Sequence, residues 1–234
     1  MRGVRAHEVL ELTPAEVSTI GSNRGSPSAT SAAAPARRFG TRVRRYPGSV
    51  RVIGGDLRGR RLHVPAGSAV RPTSDRVREA IFDVLFSLGG IEGRQVADLF
   101  CGTGAMGIEA LSRGAAAVTF VDADPTAITS VRDNLVGVGL GEAERSGEVT
   151  CTRAEVADWA ARTAARYDVV FCDPPYDYEH WPRLVEVLPA DLAVLESRQV
   201  IELPMGWEML RSKRYGSTIV TVARPERVSE KGRS

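Results

Sequence analysis

The sequence predicts an α/β protein built on a doubly wound, mostly parallel sheet, and three observations carry that prediction. From residue 96 onward, short β-rich runs alternate with amphipathic helical stretches at the spacing of strand–helix–strand units. A glycine-rich turn, "CGTGAMG" at 101–107, stands between the first such run and the first such helix. Near the C terminus, two alternating runs flank Tyr215-Gly216-Ser217 with no helix between them, which marks an antiparallel hairpin added at the sheet edge.

Taken in order, residues 1–48 mix Ser, Ala, Gly, Pro and Arg without an apolar period, and predict a flexible basic tail. His7, Glu8 and Glu11 interrupt the place where a secretory apolar core would lie. From Val50, "VRVIGGDLRGRRLHVP" reads as a small β-hairpin around Gly54-Gly55-Asp56, with Arg51, Arg58, Arg60 and Arg61 projecting. In "RPTSDRVREAIFDVLFSLGG", Ser74 or Asp75 can cap a helix. Val77, Ile81, Val84, Leu85 and Leu88 share its face, and Gly89-Gly90 ends it. Strands follow at "VADLF", "AVTFVD", "EVTC", "YDVVFCD" and "RQVIEL". Helices alternate with them at Ala105–Arg113, Pro125–Val136, "AEVADWAART" and Glu179–Val187. The corresponding domain division is 1–48 tail, 49–90 hairpin and helix extension, 91–226 main α/β domain, and 227–234 polar tail.

The 234 residues are 43% hydrophobic and 26% charged, and no run approaches the ~20 apolar residues of a membrane span. Three cysteines at wide spacing, with three histidines far from them, argue against a disulfide framework and a Cys/His metal site, and favour a reducing, cytoplasmic setting. The net charge of +2 conceals an asymmetry: residues 21–80 carry thirteen Arg against three acids, whereas residues 81–234 are acidic by seven. A basic N-terminal third on an acidic body is the footprint of a polyanion binder.

Gly102, Gly104 and Gly107 satisfy Gly-x-Gly-x-x-Gly between strand and helix, and Asp122 ends the next strand, where a carboxylate can take both hydroxyls of a ribose. An adenosine-containing ligand is expected. Asp98, four residues before the first glycine, would repel a pyrophosphate but attract a sulfonium and an ammonium, which favours S-adenosylmethionine. A dinucleotide stays open if Asp98 instead turns into a helix cap.

The strand "YDVVFCD" runs into "DPPY", Asp173 to Tyr176, at the carboxyl edge where open α/β sheets bind ligands. Pro174 and Pro175 remove two N–H donors, so the Asp173 carboxylate and the Pro174 carbonyl present acceptors only. An exocyclic amine, with two hydrogens to give and a lone pair to aim, suits such a turn, and Tyr176 offers a face on which a base can stack. Cys101 and Cys172 flank the site, but neither has a neighbouring His or Lys in sequence to activate it, and both read as small buried residues.

The motifs "RVIGGDLRGRRL", "RPTSDRVREAIFDVL", "DLFCGTGAMGIEALSRGA" and "DVVFCDPPYD", in this order, resemble the RsmD family, which methylates guanine N2 in bacterial small-subunit ribosomal RNA. The resemblance spans about Val50 to Arg224, and "RPTSDRVRE" is its most discriminating piece. It implies a Rossmann-like class I S-adenosylmethionine-dependent methyltransferase. Asp98, Gly102 and Gly104 would line the methionine part of the cofactor, Asp122 would hold its ribose, and Ala154 would lie near its adenine. Asp173, Pro174 and Tyr176 would hold the target base beside Pro175. Arg51, Arg58, Arg60, Arg71, Arg76 and Arg78 would meet RNA phosphates, with a solvated Arg78–Glu79 helix pair as the alternative for the last. The implied partner is 16S ribosomal RNA in the small ribosomal subunit, engaged by a monomer without metal or membrane. Two other readings compete: a DNA adenine-N6 methyltransferase, and a non-catalytic RNA-binding assembly protein.

Overall fold

A computed structural model describes residues 50–64, 73–175 and 177–226. The expectations for the tails, Arg71 and Tyr176 lie outside the described residues.

Seven strands form the main sheet: β3 (Gln95–Leu99), β4 (Ala117–Asp122), β5 (Val149–Arg153), β6 (Val169–Cys172), β7 (Ala193–Ser197), β8 (Trp207–Tyr215) and β9 (Thr218–Pro225). Their order is β5-β4-β3-β6-β7-β9-β8. The first five are parallel, while β9 runs antiparallel to β7 and to β8, as the hairpin pattern predicts. The chain moves outward from β3 through β4 to β5, then restarts on the other side of β3 with β6. That reversal opens a crevice at the carboxyl ends of β3 and β6.

The helices are α1 (Asp75–Ser87), α2 (Ala105–Ser112), α3 (Pro125–Gly137), α4 (Ala143–Ser146), α5 (Val156–Arg162) and α6 (Trp181–Val187). Strand residues alternate between two cores. Val96, Phe171, Val194 and Val220 pack with α1, α2 and α3, whereas Ala97, Leu99, Cys172 and Leu195 pack with α5 and α6. This alternation turns Asp98, Asp173 and Glu196 toward the face that carries α1 and α2.

One strand assignment is corrected. "RQVIEL" forms no strand; the partner of β6 is the preceding Ala193–Ser197. That strand is buried on both faces and so reads as a continuous apolar run, whereas alternation in "RQVIEL" reflects a loop with Ile201 turned in and Val200 out.

Ahead of the sheet, β1 (Val50–Arg51) pairs antiparallel with β2 (Arg61–Leu62). The hairpin strands are only two residues long, and the loop between them is held by α2. Glu109 of α2 accepts the Ile53 and Gly54 N–H groups at 2.7 and 2.8 Å, and Ser112 Oγ accepts that of Leu57 at 2.9 Å. Helix α1 starts as expected, with the Ser74 hydroxyl accepting from Val77 N–H. Its buried stripe is Val77, Arg78, Ile81, Phe82 and Leu85, with Phe82 against Phe171 of β6 and Leu88 left half exposed.

Gly107 shows why the third glycine of the turn is needed. A Cβ there would run into the buried Phe120 ring and into Val118, so only Gly lets α2 lie this close to β4. Gly107→Ala is expected to lower stability by about 1–3 kcal/mol, read as a lower urea midpoint at unchanged slope.

Candidate active site

The crevice is built from the carboxyl ends of β3, β4 and β6. After β3 the chain passes through Phe100, whose φ of 56° is the one positive value at a non-glycine residue among those described. Such strain collects where a turn must hold a set shape for a ligand. Gly102 and Gly104 follow with φ of 51° and 76°, and nothing lies within 4 Å of where a Gly102 Cβ would be, so the turn faces open space there.

Asp98 lies beneath the turn, buried, with Oδ2 accepting the Gly107 N–H at 2.9 Å. Burial pushes its pKa up to about 8, against the lowering effect of that hydrogen bond, and Asp173 and Asp122 push it further in the same direction. The sequence left two options for Asp98, a ligand acid or a helix cap, and the side chain does hold the first turn of α2. Asp122 accepts from Gly102 N–H at 3.0 Å through Oδ2 and from Asp124 N–H at 2.9 Å through Oδ1, which ties the glycine turn to the end of β4. Ala154 is fastened to the same strand end, its N–H donating to the Asp122 carbonyl at 3.0 Å.

The donor set around the turn fits S-adenosylmethionine better than a dinucleotide. Two carboxyl groups, Asp98 and Asp122, bear on the turn, and among the described residues no Lys or Arg side chain is seen hydrogen-bonded to either. Asp98 does turn into the helix cap and so takes the Gly107 N–H, one of the first-turn donors a pyrophosphate would use, while the Asp122 carboxylate would attract a sulfonium or an ammonium.

Asp173 follows β6, half-buried, and its Oδ2 lies 3.3 Å from Thr73 Oγ1. Burial raises its pKa to about 6. Pro174 is buried and Pro175 exposed, and the Pro175 carbonyl accepts from Tyr178 N–H at 2.9 Å, which closes the turn. The Tyr178 ring meets Phe100 edge-on at 5.8 Å and Trp181 at 5.7 Å, so aromatic rings pack beside the catalytic candidate. Cys101 and Cys172 are buried with thiol pKa values pushed well up by that burial, so neither is an activated nucleophile.

The basic residues separate into two groups. Arg58, Arg60 and Arg76 are exposed, and none of them forms an ion pair with a described residue; Arg51 is exposed too but pairs with Asp75 at 3.0 Å. Arg78 corrects the expectation that it meets phosphate or forms a solvated pair with Glu79. It is fully buried and donates to the carbonyls of Thr73 and Arg51 and to Asp75 Oδ1, at 3.2, 2.7 and 2.7 Å. Its job is to bind the hairpin, the segment before α1 and α1 itself into one unit.

Four residues that matter here were not singled out from the sequence. Glu109 clamps the hairpin, and its salt bridge with Arg113 is 2.8 Å long. Asn134 of α3 donates to the carbonyls of His63 and Thr103 at 3.0 and 2.9 Å, and its Oδ1 accepts from His63 N–H, so it joins the glycine turn to the N-terminal extension. Thr73 and Glu196 sit behind Asp173. Only Thr73 had a signal, its place inside "RPTSDRVRE". Among the described residues no cluster of three or more His, Cys, Asp or Glu could hold a metal, and no helix is long and apolar enough to cross a membrane.

A family model described as Conserved hypothetical protein 95 matches residues 50–224. Ribosomal RNA small subunit methyltransferase D of Escherichia coli strain K12 is 32% identical over 179 residues, covering 72% of this chain and 86% of that protein. YlbH of Bacillus subtilis strain 168 is 36% identical over 183 residues, 74% of this chain and 97% of that protein. The solved structure of yhhF from Escherichia coli superposes with a TM-score of 0.65 at 31% identity, over 76% of this chain and 99% of that one.

Proposed function

The chain belongs to the Conserved hypothetical protein 95 family, the RsmD family that its four motifs resemble, and on that footing we propose that it transfers a methyl group from S-adenosylmethionine to the exocyclic N2 amine of a guanine in 16S ribosomal RNA. The observation that carries this reading is the acceptor turn of Asp173, Pro174 and Pro175, set at the same sheet crevice as the acidic glycine turn. The small ribosomal subunit is the proposed substrate particle, as the name of the Escherichia coli relative suggests. In this reading residues 49–90 present RNA to a methyltransferase domain of residues 91–226.

When bound, S-adenosylmethionine supplies an electrophilic methyl group on a cationic sulfur. Asp98 and the Gly102–Gly104 turn would hold its charged methionine part, Asp122 its ribose, and the Ala154 segment its adenine. Asp173 and the Pro174 carbonyl accept the two hydrogens of the base amine and aim its lone pair. With a pKa near 6, Asp173 is ionised at neutral pH and can take the proton that the amine sheds once it becomes cationic. Tyr176 gives the base a stacking face.

Asp98 makes a calorimetric prediction. At pH 7 the free protein holds it mostly protonated, and a docked cation favours its ionised form. Cofactor binding should therefore release about 0.5–1 proton at pH 7 and tighten as pH rises toward 8. Titrations in buffers of different ionisation enthalpy measure this. Zero release means that Asp98 does not meet the cofactor's charge.

Arg58 and Arg60 are proposed to bind phosphates. Replacing both with alanine should weaken RNA binding across sequences and flatten the slope of log affinity against log salt by roughly 1.4–1.8. An unchanged slope would remove them from the interface.

The deciding experiment is tritium transfer from labelled S-adenosylmethionine to unmethylated small subunits, to naked ribosomal RNA and to duplex DNA, followed by nucleoside analysis. Label in N2-methylguanosine is the expected result. Label in N6-methyladenine of DNA would replace the reading with a DNA methyltransferase. RNA binding without cofactor binding would point to an assembly protein.

A further inference from the structure

Behind Asp173 lies an arrangement that the reaction as described does not use. Glu196, on β7 beside β6, is buried, and its Oε1 lies 3.0 Å from Thr73 Oγ1. The same hydroxyl lies 3.3 Å from Asp173 Oδ2. A threonine hydroxyl has one hydrogen to give and lone pairs to accept with. It can donate to one of these carboxyl groups only, so the other contact is a hydrogen bond only if that carboxyl is protonated and donates to the hydroxyl.

We propose that Glu196 is a positioning residue for methyl transfer, a neutral carboxylic acid whose O–H donates to Thr73 Oγ1 so that the Thr73 hydrogen is fixed on Asp173 Oδ2. Asp173 is thereby held as a carboxylate with its other oxygen left for the substrate amine. The inference rests on the reading of Asp173 as the amine acceptor.

The surroundings decide which acid keeps the proton. Glu196 faces Asp173 after β6, Asp98 on β3 and Arg78 on α1, and its pKa is raised well above the ordinary value by burial first and by Asp173 second. The nearby positive charge, Arg78, is already hydrogen-bonded to Asp75 at 2.7 Å. The Thr73 hydroxyl lowers the pKa of both carboxyl groups, but Asp173 is the less buried of the two and carries a pKa of about 6, so it is the first of the pair to ionise. The arrangement also gives the "RPTSDRVRE" segment a chemical task. Arg78 binds the Thr73 carbonyl at 3.2 Å, and Ser74 caps α1, so the segment delivers one hydroxyl to the catalytic turn.

The test is a carboxyl-carbon NMR titration of the full chain together with the pH profile of kcat. In the native protein Asp173 should titrate near pH 6 while Glu196 stays protonated through that transition. Thr73→Val should move the Asp173 midpoint, and the acid limb of kcat, up by about one pH unit, with the KM for S-adenosylmethionine unchanged. Glu196→Ala should lower kcat by about 10–100-fold, and Glu196→Gln should restore most of it, because its amide N–H donates where the acid O–H did. An Asp173 midpoint that falls by about a unit or more in Glu196→Gln would show that Glu196 carries a charge and would overturn the proposal. So would an unmoved midpoint in Thr73→Val. If native protein transfers no methyl group to RNA, the functional reading fails, and the titrations still decide the state of Glu196. Thermal midpoints of the variants separate misfolding from either outcome.

Discussion

Asp173→Ala is expected to lower methyl transfer to RNA by about 10²–10⁴-fold while changing S-adenosylmethionine affinity by less than about threefold. The asymmetry follows from position. Asp173 stands at the end of β6, whereas the carboxyl groups at the glycine turn belong to β3 and β4. Removing it leaves those cofactor groups in place and deletes the acceptor that orients the amine and takes its proton. Asp173→Asn separates the two tasks. An amide keeps one acceptor oxygen but presents an N–H to the amine and cannot take a proton, so an intermediate loss with no acid limb near pH 6 is expected. Single-turnover transfer and equilibrium dialysis of the cofactor, measured on the same preparations, check both statements. An unchanged rate in Asp173→Ala would remove the residue from the chemistry.

The largest expected loss of stability comes from Glu109→Ala, about 3–5 kcal/mol by urea denaturation. Glu109 is fully buried, and its two oxygens satisfy the N–H groups of Ile53 and Gly54 and the Arg113 guanidinium. Alanine would leave two backbone donors and one cation without their acceptor. Glu109→Gln should cost less than the alanine but still more than a surface change, since an amide oxygen can replace only one of the two carboxylate oxygens. Because the hairpin carries Arg58 and Arg60, the alanine variant should also lose RNA affinity while it still binds S-adenosylmethionine. A stability change below about 1 kcal/mol would mean that the hairpin is not held through this side chain.

The sheet was legible because its signals are local. Alternating strands and helices, the glycine turn and the C-terminal hairpin each depend on residues close in the chain, and all three are present. The error at "RQVIEL" arose because a strand buried on both faces loses its alternation, while a loop with one inward Ile201 imitates it. Of the site, Asp98, Gly102, Asp122 and Asp173 lie together at the crevice, since each ends a strand or opens a turn. Glu109, Asn134 and Glu196 were not legible, and Thr73 only as a member of "RPTSDRVRE". Each acts through a partner 31 to 123 positions away, and no spacing within the sequence announces such a pairing. Arg78 differs from its expectation because a basic residue next to an acid on a helix looks solvated until its hydrogen bonds to the Arg51 and Thr73 carbonyls and to Asp75 are known.

The clamp on the N-terminal extension has a consequence for the order in which the molecule assembles. Ile53 and Gly54 wait for Glu109, which is made 55 or more residues later, His63 waits 71 residues for Asn134, and Thr73 waits 123 for Glu196. Contacts of such separation close slowly, because the chain between them must first give up its freedom. During synthesis Phe82 has no Phe171 to meet until β6 exists, so the part of the α1 stripe that faces β6 and the later strands stays uncovered until then. The hairpin can dock once α2 and α3 exist, whereas the contact of Thr73 with Glu196 must wait for β7. A nascent chain halted after α5 would hold a formed glycine turn beside an α1 that has met the hairpin and β3 but lacks β6, β7 and β9, a state in which the rest of its stripe is open to aggregation or to a chaperone.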